Sequence, residues 1–239
     1  MQYRQLDEQR ILQTLERLRD RIAERFPESG LRRVGDELLA VGAEVTECVD
    51  YLRKPNWPLR ALAAAAIMGL AALLVAAAAT VSMPTRVERP AELLQLIESG
   101  VNDIVFAGIA VFFLLTIETR MKRRRALGVL HQLRSIAHVV DMHQLTKDPE
   151  RILSPEPDTS SSPVRTMTPS ELGRYLDYCS ELLSVTSKLS ALLVQYFNDE
   201  VVLGAVNEVE TLTTGLSAKI WQKIRMLGVI AGMPGATRA

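Results

Sequence analysis

Apolar positions recur with helical spacing along almost the whole chain. Near the start, Ile11, Leu15, Leu18, Ile22 and Phe26 are four, three, four and four residues apart, which predicts an amphipathic helix over about residues 5–26. Pro27-Glu28-Ser29-Gly30 interrupts it. From Leu31, the positions Leu31, Val34, Leu38, Val41, Val45, Cys48 and Leu52 alternate three and four without a slip, the seam of a coiled coil over three heptads. Lys54-Pro55 ends this second helix, because the residue before proline disfavours helical geometry.

The pattern then loses its polar face. Residues 61–83 form a run of 23 without a charge, a helix of about 34 Å at 1.5 Å per residue, against a hydrocarbon core of about 30 Å. Eleven of the 23 are alanine, and Ala61, Ala65, Gly69, Ala72 and Ala76 fall on one stripe, a face that lets another helix approach closely. A second apolar run, residues 104–117, spans only 14 residues between Asp103 and Glu118, or about 21 Å. Extended back to residue 100, it becomes long enough to cross, with Asp103 in the boundary region.

Downstream the helix is expected to continue to about Leu145, since neither proline nor cap intervenes, and Glu118 and Lys122 form a favourable i, i+4 pair. Leu130, Leu133, Ala137 and Val140 give it an apolar stripe. Residues 152–167 read as a serine- and proline-rich linker. Thr168-Pro169-Ser170-Glu171 is a capping box with proline at the first helical position. The helix it opens carries Leu172, Tyr175, Cys179, Leu182, Thr186, Leu189, Leu193 and Tyr196. After a turn at Asn198-Asp199, a last helix carries Val202, Val206, Val209, Leu216, Ile220, Ile224 and Leu227, and Gly232, Pro234 and Gly235 stop it. No strand pattern is present.

The expected fold class is therefore all-α: a two-pass transmembrane helical hairpin continuous with a cytosolic bundle of two α-hairpins. The expected organisation is an N-terminal hairpin over residues 1–54 and a transmembrane hairpin over 55–120, with spans at about 61–83 and 100–118. A helical extension follows over 121–147, then a flexible linker over 148–168 and a C-terminal hairpin over 169–232.

Charge adds direction. The chain has 28 basic and 28 acidic residues, so no overall field points to nucleic acid. Locally the balance is uneven. Arg53, Lys54 and Arg60 precede the first span and Arg120, Lys122, Arg123, Arg124 and Arg125 follow the second, against Arg86 and Arg89 between them. The positive-inside rule then places both termini in the cytoplasm of a cell with the protein in its plasma (inner) membrane. The run Lys122, Arg123, Arg124, Arg125 also suits anionic lipid. No secretory signal is expected, because the first apolar run lies some sixty residues in.

Candidate chemistry is sparse. His131, Arg134, His138 and Asp141 share one helical face, and His131, His138 and Asp141 are the only residues with any claim on a metal. The competing reading is a polar strip buried at a helix interface, its members satisfying one another. Asp103 and Glu118 are carboxylates at the edges of the second span, expected at the interface rather than in an ion path. Cys48 and Cys179 fall on apolar stripes and are expected as buried thiols. No phosphate loop, nucleophile arrangement or metal ladder appears. The expectation is a non-enzymatic protein without cofactor, a scaffold, adaptor or sensor, partnered by the lipid bilayer and by its own copies or another membrane protein. The alternative is a small oligomeric channel or transporter component.

Overall fold

A computed structural model describes residues 5–80, 90–147, 149, 160 and 167–231. Among these, every regular element is a helix: α1 (Glu8–Arg25), α2 (Gly30–Arg53), α3 (Trp57–Thr80), α4 (Pro90–Leu145), α5 (Pro169–Tyr196) and α6 (Glu200–Ala231). The expected stop at Gly232, Pro234 and Gly235, the linker apart from residues 149, 160 and 167–168, and the residues 81–89 that carry Arg86 and Arg89 lie outside the described residues.

Two helices are long and apolar enough to cross a membrane, one starting at Trp57 and one containing residues 100–118. None of either apolar window is buried within the chain. Leu62, Met68, Val75, Ile104, Phe106, Phe112 and Leu115 all stand exposed. One boundary differs from expectation. The connection expected between the two spans, ahead of residue 100, is already helical from Pro90, and α4 runs unbroken for 56 residues to Leu145. Proline at the first position of a helix costs nothing, because the N–H it lacks has no intrahelical partner there.

The chain divides into a larger unit, residues 1–53 and 123–239, and a smaller one, residues 54–122. In the larger unit, α1, α2, α5, α6 and the part of α4 from Arg123 share one hydrophobic core. All seven positions of the α2 seam are buried, as are Ile11, Leu15, Leu18 and Ile22 of α1. Each fully buried leucine contributes about 1.5–3 kcal/mol. Helix α5 is wrapped on more sides than its sequence seam requires. Leu176, Tyr178, Leu183, Val185, Ser190 and Leu192 are buried besides the seam residues from Leu172 to Leu193, and α5 packs on α1, α2 and α6. Thr186, a polar residue within that seam, is satisfied inside its own helix, its Oγ1 donating to the Leu182 carbonyl at 2.9 Å.

Polar contacts fix the directions. The Leu6 backbone bonds the Gln195 side chain, Arg21 pairs with Glu181, and Phe26 meets Tyr175, so α1 and α5 are antiparallel. Arg123 meets Asp199, Arg134 meets Glu208, and Lys223 Nζ donates to the Gln144 carbonyl, so α4 and α6 run parallel in near-constant register. At Gly42, side chains of α1 and α5 both reach the backbone of α2. A Cβ there would lie 2.8 Å from Leu12 Cδ2 and 3.7 Å from Leu189 Cδ1.

Candidate functional site

The larger unit has two chemically distinct ends. At the first, the chain passes into the smaller unit after Arg53 and returns at Arg123. Arg53 pairs with Glu8, and its guanidinium lies 3.8 Å from the centre of the Tyr196 ring. Arg125 covers Tyr51 at 4.8 Å. Arg123 grips Asp199 in bidentate fashion, Nε to both oxygens at 3.0 Å and Nη2 to Oδ2 at 2.8 Å. Asp199 Oδ1 also accepts from the Val201 and Val202 backbone N–H groups at 3.1 and 3.2 Å, capping α6. Burial alone would raise the Asp199 carboxyl, but Arg123 and the two N–H donors outweigh it and hold it below the usual range.

The basic run is thus divided in its tasks. Arg123 is a structural ligand of Asp199 and Arg125 stacks on an aromatic ring. Lys122 Nζ lies 3.0 Å from Glu118, while Arg124 is exposed. Within the smaller unit, Glu118 is a hub. Its carboxylate takes Arg60 Nε at 2.6 Å, the Asn56 backbone N–H at 3.2 Å and Lys122. Asp103 is exposed on α4.

The histidine face does not match its expectation. His131 and His138 are exposed, Arg134 pairs outward with Glu208, and Asp141 accepts from Gln144 Nε2 at 2.6 Å. The reading of a buried, mutually satisfied strip is therefore corrected: the apolar stripe of α4 takes up the core and turns this face to solvent. Among the described residues, no three histidine, cysteine, aspartate or glutamate side chains stand close enough to hold a metal. Accordingly, His138→Ala is expected to leave the melting midpoint of the full chain in detergent within about 2 °C, as for an exposed side chain. A drop of 5 °C or more in a thermal melt would return the histidine to a buried role.

At the second end lies a cavity of about 470 Å³. The turn between α1 and α2 supplies Arg25, Phe26, Ser29 and Gly30, the end of α4 supplies His143, Thr146 and Lys147, and the start of α5 supplies Met167, Glu171 and Tyr175. Local sequence explains each edge. Ser29 Oγ donates to the Phe26 carbonyl at 2.8 Å and accepts from Arg32 N–H at 3.3 Å, closing the turn and opening α2. The capping box forms, with Thr168 N–H and Oγ1 both on Glu171 Oε2. Glycine at position 30 leaves room for the His143 imidazole, since a Cβ there would overlap His143 Cε1 and force the ring to shift.

Phe26 and Tyr175 meet edge to face, ring centres 5.4 Å apart, and Lys147 Nζ lies 5.7 Å from the Tyr175 ring centre. Burial, with the positive charges of Arg33 and Lys147, holds His143 below the ordinary histidine range. Both cysteines are free and buried. Burial pushes Cys48 up, and pushes Cys179 up to about 12 against the pull of Lys223 and Lys147, so neither is a ready nucleophile.

Sequence reasoning missed this cavity. Pro27–Gly30 and Thr146–Pro149 were legible as helix ends, but nothing in the spacing says that they meet. No protein-family model, curated protein or solved structure matches the chain. What the site defines is a class only: a chain whose described elements are all helices, with two apolar helices and a polar, aromatic-walled cavity.

Proposed function

We propose that the chain is a two-pass membrane protein whose flanking helices form one cytosolic bundle, acting without catalysis as a sensor, adaptor or scaffold. One observation carries the reading. Residues from both sides of the apolar helices, 11–52 and 126–227, lie in one core. Segments that share a core must lie on the same side of a bilayer, which requires an even number of crossings between them. The chain offers two helices able to make them. The eight-to-two distribution of basic residues then favours the cytoplasm for that core and the plasma (inner) membrane as its site. Arg124, exposed beside the apolar segment of α4, suits an anionic headgroup. The small-residue stripe of α3 suits a second copy or a membrane partner. The channel reading asks Asp103 or Glu118 to line a pore, and the engagement of Glu118 by Arg60 and Lys122 favours the anchor instead.

Reporter fusions test the reading. Those at Gln2 and Arg238 are expected to report cytoplasm, and one at Arg89 the opposite side. A terminus reporting the outer face would sink the orientation, and termini on opposite faces would sink the shared core with it.

A further inference from the structure

The cavity end of the larger unit carries more positive charge than its fold needs. Helix α2 begins without an acidic residue in its first turn, and places Arg32 and Arg33 there instead. Cations at that position oppose the helix dipole. Arg25 and Lys147 line the same cavity. Among the described residues, Arg25, Arg33 and Lys147 have no carboxylate partner. Of the two acids in the lining, Glu171 is committed to the Thr168 cap, which leaves Glu28 as the one carboxylate facing this group. Phe26, Tyr175 and Met167 line the same cavity, with Lys147 Nζ 5.7 Å from the Tyr175 ring centre, so cations and an apolar wall stand side by side.

We propose that this cavity binds a small soluble organic anion, a phosphate monoester or carboxylate on a flat apolar body. The anionic group is held by Arg25 and Lys147, and the body lies against Phe26 and Tyr175. The volume of about 470 Å³ falls in the range of small-molecule sites. A soluble ligand fits better than a lipid headgroup. Gly30 and Arg53 are the two ends of α2, so the cavity lies about 36 Å along that helix from the residue where the chain leaves the unit. A bound ligand would bridge three segments: the α1–α2 turn, the end of α4 and the start of α5. Because α4 also contains the second apolar segment, such a ligand would bear directly on that helix.

The test titrates the purified full-length chain in detergent with phenyl phosphate, inorganic phosphate and phenol by isothermal calorimetry. Phenyl phosphate is expected to bind saturably, more tightly than either fragment, and more weakly as salt is raised. Arg25→Gln with Lys147→Gln is expected to weaken it about tenfold or more, as loss of charge-assisted hydrogen bonds implies, while Arg124→Gln leaves it unchanged. Ser29→Asp gives a second arm, since aspartate keeps the acceptor for the Arg32 N–H, losing only the bond to the Phe26 carbonyl, while placing a negative charge in the cavity lining; it is expected to abolish binding in a chain that still melts cooperatively. Absence of saturable binding to the folded chain, or undiminished binding by the Ser29→Asp variant, overturns the proposal. So does inorganic phosphate binding as tightly as phenyl phosphate, since the apolar wall would then be idle. Reconstitution in phosphatidylcholine vesicles with and without phosphatidylglycerol separates the two sources of phosphate. Equal affinity in both supports a soluble ligand, and loss of binding in the anionic vesicles means that the lipid headgroup takes the site. Reporter fusions bear on membrane topology alone, so the two readings fail separately.

Discussion

Leu38→Asp is expected to destabilise the larger unit by roughly 4–6 kcal/mol, combining the lost apolar contacts with an unpaired charge in the core. Leu38 is fully buried at the middle of the α2 seam, and α2 packs on α5 as well as on α1. Leu189, also fully buried, reaches the close approach at Gly42 from the α5 side, so Leu189→Asp should act on the same core. Against a typical total stability of 5–15 kcal/mol, either change removes a large fraction. Limited proteolysis of the full chain in detergent is the measurement. Both variants should open cleavage within α1–α2 and within α5–α6 alike. If Leu38→Asp leaves residues 169–231 fully protected, α5 and α6 stand as an independent module and the single core is wrong.

Asp199→Ala is the second large effect, expected to cost about 1–3 kcal/mol through the lost helix cap and the lost charge-assisted bonds. Arg123→Ala should lower the melting midpoint in the same direction by leaving a buried carboxylate unpaired, and Arg124→Ala, one residue on but exposed, should not. A charge-only role for the run would make the two arginines equivalent, so equal midpoints for their variants would refute the assignment. The carboxylate also predicts a pH dependence. Its folded pKa lies below the ordinary value, so its contribution is complete above the ordinary Asp pKa of about 4 and is lost as pH falls through the folded value. Asp199→Asn removes that contribution, so the gap in stability between wild type and variant should be widest near neutral pH and close in acid. A gap that stays constant below pH 4 would mean that the charge does not matter.

Proximity at the two ends of the larger unit gives these residues their different uses. Where the chain leaves the unit, cations are matched: Arg53 with Glu8 and Tyr196, Arg123 with Asp199, Arg125 with Tyr51. Around the cavity, among the described residues, Lys147 lies over the Tyr175 ring, but Arg25, Arg33 and Lys147 have no carboxylate partner. Matched charges hold helices together, whereas unmatched charges beside an apolar wall leave a preference for a ligand of opposite sign.

Spacing along the chain determined the helices and their buried faces. A helix has one stripe for the core, so Leu31, Val34, Leu38, Val41, Val45, Cys48 and Leu52 could be read as inward without knowing what they meet, and each is buried. The capping box at Thr168 and the unbroken passage to Leu145 were legible for the same reason, since both depend on neighbours within a few residues. Apolar length alone marked the two helices able to cross a membrane. Partnership was not legible. That α5 would be wrapped by α1 and α2 as well as by its neighbour α6, burying Leu176, Leu183 and Leu192 outside its seam, depends on contacts with helices more than a hundred positions earlier in the chain. The same holds for Arg123, which composition presents as one of four equivalent cations until Asp199 is brought to it. His138 shows the converse: its shared face with Asp141 was real in the spacing, but only packing decides which face of a helix meets the core. The cavity belongs wholly to tertiary structure, because its walls come from the α1–α2 turn, the end of α4 and the start of α5, which periodicity can end but cannot bring together.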